Sequence, residues 1–366
     1  MTRLRPTWVQ VDLNAIRHNV RTLKPDGAEL MAVVKANAYG HGDVQVARAA
    51  LEAGATWLGV ALVEEGLGLR DAGVDAPVLV LSELPSGSEH AALDAELTPS
   101  LYTDDGLTRL ATAAAGRDVG VHVKVDTGMH RVGVYPSEAT VAFLERVARS
   151  GIGLDGLWTH FASSAEDEET TRRQLDRFLS VAEDARASGF VPRLLHAANS
   201  GATILYPQSH LDLVRAGIAI YGVEPEPGVG ADLGLLPALS WRSAVTMTRR
   251  LPAGERVSYG HRYRLERDAN VATVPVGYAD GYPRAASSRA DVLIQGTPCR
   301  VAGSVTMDQL IVDCGDVDVV AGDDVVLVGH QGAGSVSAWD LAACADTIGY
   351  EVVTRIGERV PREYVA

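Results

Sequence analysis

Eight short apolar runs, each followed by a stretch of helical periodicity or a polar connection, fill the first two thirds of this chain. They cover residues 29–34, 57–62, 77–82, 98–102, 120–125, 153–158, 193–197 and 211–215. Strands that are buried on both faces read as continuous Val/Leu/Ile runs of this kind. Between them, Leu13, Ile16, Val20 and Leu23 recur on one helical face, as do Phe143 and Val147 within 137–150, and the polar stretch 168–188 is helical too. Eight strands alternating with helices over about 220 residues predict an α/β architecture, a (β/α)8 barrel of the TIM type. An open doubly wound sheet is the alternative, but no G-x-G-x-x-G follows the first strand.

The pattern then changes. Glu224-Pro225-Glu226-Pro227-Gly228-Val229-Gly230 reads as a connection. Beyond Leu239 come strand-like runs at 243–248, 271–276, 291–294, 308–312 and 324–328, with turns and little helix. The expected organisation is a barrel over residues 1–235 and a C-terminal mostly β domain over 236–366. The alternating segment 8–13 precedes the barrel and can pair with either domain, so residues 1–12 are expected to include a strand that joins the β domain.

Composition narrows the partners. A net charge of -14 disfavours nucleic acid and anionic membrane. Cys299, Cys314 and Cys344 have no metal-ligand spacing and read as reduced thiols, with no metal site expected. The N-terminus lacks the apolar stretch of a signal peptide, and no run approaches the ~20 apolar residues of a membrane span. A cytoplasmic location is the expectation.

Only three lysines, Lys24, Lys35 and Lys124, stand among 33 basic residues. Lys24 sits in a turn-like Leu23-Lys24-Pro25-Asp26-Gly27 and is solvated. Lys35 and Lys124 each end an apolar run. An arginine keeps its proton in a protein, whereas a partly buried lysine can lose it and attack a carbonyl carbon or CO2. The ordinary reading of such a lysine is a side chain snorkelling to water. Other polar residues gather at the same strand ends: Arg131 after the fifth strand, His160 after the sixth, Asn199-Ser200-Gly201 after the seventh and Arg215-Ala216-Gly217 at the eighth. In a barrel those ends carry the chemistry. A Schiff-base lysine with a phosphate cradle of glycines and small hydroxyls points to pyridoxal phosphate or to a phosphosugar aldolase. An Asp facing a pyridine nitrogen would keep it protonated, whereas Arg215 there would keep it unprotonated.

The segment Val33-Val34-Lys35-Ala36-Asn37-Ala38-Tyr39-Gly40-His41-Gly42 resembles the pyridoxal-phosphate attachment segment of the alanine racemases. The similarity continues, in family order, through Lys124-Val125-Asp126-Thr127-Gly128-Met129-His130-Arg131, His196-Ala197-Ala198-Asn199-Ser200, Arg215-Ala216-Gly217-Ile218, Val257-Ser258-Tyr259-Gly260, Gly277-Tyr278-Ala279-Asp280-Gly281-Tyr282, Thr306-Met307-Asp308-Gln309 and Tyr350-Glu351-Val352-Val353. The resemblance implies that Lys35 holds pyridoxal 5'-phosphate and is the base on one face of the substrate. Tyr259 is implied as the base on the other face, supplied by the partner of a homodimer. Arg215 is implied to face the pyridine nitrogen, with His160 in a hydrogen-bond relay toward Tyr259. Tyr39, Ser200, Gly217, Ile218 and Tyr350 resemble phosphate contacts, with Asn199 beside them. Arg131 and the Met307 backbone resemble substrate-carboxylate contacts, Asp308 adjoins them, and Tyr278 resembles an entrance gate. Lys124 matches a position often carbamylated in the family, where the carbamate orients Arg131. One departure is Gly303-Ser304-Val305-Thr306, where many relatives have an arginine and a cysteine.

The implied activity is interconversion of L- and D-alanine, supplying D-alanine for cell-wall peptidoglycan. It suits the residues, because racemisation removes the α proton on one face and returns one on the other, so two bases must flank the carbon. A basic amino acid decarboxylase can share the layout and cofactor but would need an acidic pocket and usually a cysteine near the site. A cofactor-carrier barrel lacks a β domain, and a phosphosugar aldolase leaves that domain without a role. A broader racemase accepting serine stays open, since one hydroxyl or methylene is worth only about 1–3 kcal/mol in such a pocket.

Overall fold

The structure, a computed structural model, describes residues 4–366. The reading of the N-terminal segment therefore lies outside the described residues for Met1, Thr2 and Arg3. Two compact units make up the chain: residues 16–38 with 43–236, and residues 4–15 with 39–42 and 237–366. The first unit ends at 236, and the short piece 39–42 joins the second unit. The reason is close backbone packing. A Cβ at Gly40 would meet the Val353 carbonyl oxygen, one at Gly42 would meet the Tyr364 hydroxyl, and Arg362 Nε donates to the Gly40 carbonyl at 3.0 Å.

The first strand, β1 (Thr7–Asp12), belongs to the second unit. Eight strands then form the first unit's parallel sheet: β2 (Glu29–Val33), β3 (Trp57–Val60), β4 (Val78–Glu83), β5 (Thr98–Leu101), β6 (Gly120–Lys124), β7 (Gly153–Trp158), β8 (Leu194–His196) and β9 (Leu213–Ala216). Neighbours in sequence are neighbours in the sheet, and β9 returns to pair with β2 through Glu29↔Leu213 and Met31↔Arg215. β8 and β9 share no ladder. The gap is spanned by Asp212 N–H donating to Leu195 O and Arg215 N–H to Ala198 O, each at 3.0 Å, while Asp212 Oδ2 accepts from Leu195 N–H at 2.7 Å. The eight-stranded barrel expected from the sequence is the fold.

Met31, Trp57, Leu79, Leu194 and Leu213 form a buried cluster. Strand alternation puts His122 on the same face of β6 as Lys124, and both are buried. Gly156 on β7 makes room for the His122 ring, since a Cβ there would come within 2.5 Å of its Nδ1. Outer helices bury the faces that periodicity marked. Thr140–Arg149 buries Phe143, Leu144 and Val147, and Glu168–Ala187, capped by Asp167, buries Leu175, Phe178 and Val181.

In the second unit, β10 (Leu239–Ala244), β11 (Met247–Leu251), β12 (Arg256–Val257), β13 (Tyr263–Arg264), β14 (Ala269–Val274), β15 (Asp291–Ile294), β16 (Thr297–Val301), β17 (Leu310–Gly315), β18 (Asp324–Gln331), β19 (Gly334–Val336) and β20 (Arg362–Val365) follow. The main sheet runs β11-β14-β17-β16-β15-β18-β10-β1-β20. The alternating N-terminal segment thus pairs with the β domain, antiparallel to β10 and parallel to β20. Two expectations need correction. The run 243–248 straddles two strands that break between Ala244 and Met247, and the run at 308–312 starts only at Leu310; the little helix in this domain is Ala338–Ala345 and Gly349–Thr354. The first helix carries a capping box in Ser337 and Asp340 that the strand-centred reading passed over.

Candidate active site

Lys35 stands two residues beyond β2, at the start of a backbone that turns the wrong way. Ala36, Asn37, Ala38 and Tyr39 all have φ near 52°. None is glycine, and left-handed L-residues cost roughly 1–2 kcal/mol each. Side chains hold the turn. Glu65 Oε1 accepts from Ala36 N–H at 2.6 Å, while its Oε2 accepts from Ala61 N–H at 2.8 Å and Leu62 N–H at 3.1 Å. Asn37 Oδ1 accepts from Asp43 N–H at 3.1 Å, and the Tyr221 hydroxyl donates to the Val33 carbonyl at 2.8 Å. Strain held this firmly beside a half-buried amine marks a functional position.

Burial, then the positive charge of Arg131, lowers the Lys35 pKa, against an opposing pull from Glu65. Lys124, at the end of β6, is 4% exposed. Its pKa falls to about 7, through burial first and then Arg131 and Arg215, with Asp126 opposing. Its Nζ lies 4.3 Å from the centroid of Trp158, the ring over which the Arg215 guanidinium also sits, at 4.7 Å. Arg131 belongs to the loop after β6. Asp126 Oδ1 shapes that loop by accepting from Gly128 and His130 N–H, and Gly133 lets the returning chain pass, since a Cβ there would meet Asp126 N.

Arg215, buried on β9, spends its donors on four acceptors. They are the carbonyls of Thr159 at 2.7 Å and Ala197 at 2.9 Å, His196 Nδ1 at 3.0 Å and His160 Nδ1 at 3.3 Å. Burial brings its pKa down to about 9, which leaves it charged at neutral pH. A guanidinium only donates, so both Nδ1 atoms must accept and both rings carry their proton on Nε2. His196 Nε2–H therefore donates to His122 Nδ1, 2.8 Å away. Burial and neighbouring cations keep all three rings neutral: His160 and His196 well below the usual range and His122 at about 3. His122 Nε2 is buried and has no hydrogen-bond partner among the described residues.

Ser200 and Asn199 follow β8. The Ser200 hydroxyl accepts from Gly217 N–H at 2.8 Å and Ala219 N–H at 3.4 Å, tying the turn after β9, with Ile218, to the turn after β8. Asn199 Oδ1 caps the helix Ser200–Leu205 through Ala202 N–H at 3.1 Å and accepts from Ser164 Oγ at 2.5 Å. The first unit thus brings together Lys35, Lys124, Arg131, His160 and Arg215 at the strand ends, with Asn199 and Ser200 on the turn after β8 and Gly217 and Ile218 on the turn after β9.

The remaining candidates lie in the second unit. Tyr259 opens a short 3-10 turn after Ser258, whose φ is 62°, and its side chain is 77% exposed. Ser258 Oγ donates to the Ser304 carbonyl at 2.7 Å, and Ser304 Oγ donates to the Tyr259 carbonyl at 3.1 Å. Met307 and Tyr278 are exposed side chains on adjoining turns: Tyr278 N–H donates to Thr306 O and Ala279 N–H to Met307 O, both at 3.0 Å. Gly277 permits that approach, because a Cβ there would meet the Met307 carbonyl. Asp308 pairs with Arg359 at 2.8 Å. The Tyr39 and Tyr350 rings lie 6.4 Å apart, and burial pushes the Tyr39 phenol up.

Four contributors escaped the sequence reading: Glu65, the His122–His196 pair, Trp158 and Ser304. The signal for His122 was its two-residue spacing from Lys124 on one strand. Ser304 lies in the stretch 303–306, and its hydroxyl bonds to the backbone of the Tyr259 turn. For Glu65 no local signal exists.

A group with an aldehyde and a phosphate fits these residues. An amine drawn toward neutrality, several cations at one mouth and a hydroxyl linking two turns make up a donor set suited to an anion and a carbonyl.

Residues 11–225 match the family described as "Alanine racemase, N-terminal domain", and residues 238–364 match "Alanine racemase, C-terminal domain". The chain is 48% identical to an alanine racemase of Symbiobacterium thermophilum, over 99% of this chain and 97% of that protein. The crystal structure of the alanine racemase from D-cycloserine-producing Streptomyces lavendulae superposes with a TM-score of 0.94 at 42% identity, covering 100% of this chain and 98% of the other. The alanine racemase from Streptomyces coelicolor gives a TM-score of 0.93 at 42% identity, with 98% of each chain covered.

Proposed function

Because this chain belongs to the alanine racemase family, we propose that Lys35 and Tyr259 are the two bases with which it interconverts L- and D-alanine. The activity is that of an amino acid isomerase. The observation that carries the residue roles is the cluster of Lys35, Lys124, Arg131 and Arg215 at the barrel's strand ends, with Lys35 lowered in pKa beside it.

Pyridoxal 5'-phosphate, when bound, supplies a carbonyl that joins the substrate amine and draws electrons from its α carbon. Lys35 would hold it covalently. Ser200, Gly217 and Ile218, with Asn199 supporting the turn, would hold its phosphate, and Tyr39 and Tyr350 are the further phosphate contacts that the family resemblance implies. Arg215 would face the ring nitrogen. It would keep its charge, and an N–H not used by its four acceptors would donate a hydrogen bond there rather than a proton, which would limit protonation of that nitrogen. Lys35, once free, is an amine that takes or returns the α proton on one face. The Tyr259 phenol, from the partner of a homodimer, does so on the other, with His160 in the relay. Each positioned base contributes roughly two to four decades in rate. Arg131 and the Met307 backbone would bind the substrate carboxylate, Asp308 would steady the Met307 turn through Arg359, and Tyr278 would line the entrance. Lys124, with a pKa of about 7, has enough free amine to combine with CO2. The resulting carbamate would turn a repelling cation into an anion that orients Arg131.

The test is borohydride reduction of the cofactor-loaded protein followed by peptide mapping. The fixed cofactor is expected on the Lys35 peptide alone, and label on Lys24 or Lys124 overturns the assignment.

A further inference from the structure

The connection that carries Met307 joins β16 to β17, and each of those strands bears a buried cysteine. The ladder pairs Arg300 with Asp313 and Val301 with Val312, so its next step sets Cys299 opposite Cys314. Ala302 N–H donates to Ile311 O at 2.7 Å, which marks a hydrogen-bonded pair. Counting back along the alternation, 300/313 is another such pair and 299/314 is a non-hydrogen-bonded one. Non-hydrogen-bonded antiparallel pairs bring Cα atoms to about 4.5 Å, inside the ~4.4–6.8 Å range of disulfides. Alternation also turns both thiols inward: Cys299, Val301, Val312 and Cys314 are buried, while Arg300 and Asp313 between them are not. Each thiol feels the other through a hydrogen bond, which lowers Cys299 and raises Cys314. Both sulfurs are nearly fully buried, so an oxidant small enough to enter the packed sheet is the kind that can reach them.

We propose that Cys299 and Cys314 are a reversible dithiol–disulfide pair, oxidised by hydrogen peroxide, at the foot of the Met307 connection. One sulfur, as thiolate, attacks a peroxide oxygen. The O–O bond breaks, hydroxide leaves and takes up a proton as water, and a sulfenic acid remains. The second sulfur attacks the first, its proton goes to the departing hydroxide, and a second water leaves. Two thiols lose two electrons and two protons, and one peroxide becomes two waters. A small dithiol reverses the step by exchange. The chemistry needs only the two sulfurs and holds whatever role Met307 plays.

Cofactor-loaded enzyme, freed of reductant, is treated with hydrogen peroxide, denatured, alkylated and mapped. The expected result is a Cys299–Cys314 cross-linked peptide, with alkylation falling from three cysteines to Cys344 alone and recovering after dithiothreitol. Cys299→Ala and Cys314→Ala should each abolish the cross-link, and Cys344→Ala should leave it intact. Full alkylation of both cysteines after peroxide overturns the proposal, as does oxygen addition at either without a link, or a link through Cys344.

Discussion

The Arg215 guanidinium donates to Nδ1 of His196 at 3.0 Å, and that one bond sets the proton positions of two buried rings. His196 must then donate through Nε2 to His122. A string of neutral imidazoles runs inward from a permanent charge, beneath the residue proposed to face the cofactor.

Replacing His196 with leucine should therefore cost more than a cavity-neutral swap. It strands a charged donor of Arg215 and the Nδ1 of His122. A buried unsatisfied group costs about 1–3 kcal/mol, more where charge is involved. Thermal unfolding should show a clear drop in midpoint, and His196→Asn, which keeps an acceptor, should recover part of it.

Gly156→Ala should destabilise the barrel through a different cause. The added Cβ would meet the His122 ring at 2.5 Å, and forced overpacking costs about 1–3 kcal/mol. Combining it with His122→Ala should cost less than the two single changes added together. Additive losses in denaturant titrations would mean the ring is not the obstacle.

The pH dependence of Lys124 has a definite sign. Its pKa is about 7 folded against 10.5 unfolded, so between those values the unfolded chain binds more protons. Its contribution is fully favourable above pH 10.5, declines as pH falls toward 7 and is lost below that. In CO2-free buffer, Lys124→Met should stabilise most below pH 7, with the advantage shrinking from there toward pH 10.5. With 13C-labelled bicarbonate, wild type should show a carbamate carbon resonance that Lys124→Met lacks.

Ser304→Ala should slow turnover without unfolding the domain. The hydroxyl donates to the Tyr259 carbonyl, a bond worth about 0.5–1.5 kcal/mol net. Steady-state kinetics should show kcat down about two- to tenfold in both directions, with cofactor affinity unchanged. A wild-type kcat would mean that the Tyr259 turn holds itself.

Mixing Lys35→Ala and Tyr259→Phe chains tests the shared site. Each alone should be nearly inactive, and after subunit exchange some activity should return. Exchange without rescue would argue that each chain completes its own site.

Much of this protein was determined locally. Apolar runs and helical periodicity specify the barrel strands, because burial on both faces leaves a mark within a few residues. Lys35 and Lys124 could be placed at strand ends for the same reason, and the shift from alternating elements to strands and turns marked the second domain. What the tertiary structure decided are partnerships across distance. Glu65 holds the left-handed turn at Ala36 from 29 residues away, Ser304 reaches Tyr259 across 45, and Arg215 draws acceptors from the ends of two other strands. No window of sequence contains both members of such a pair. Their bonds exist only once packing has excluded water and brought the chain segments together, and that same exclusion moves the lysine pKa values.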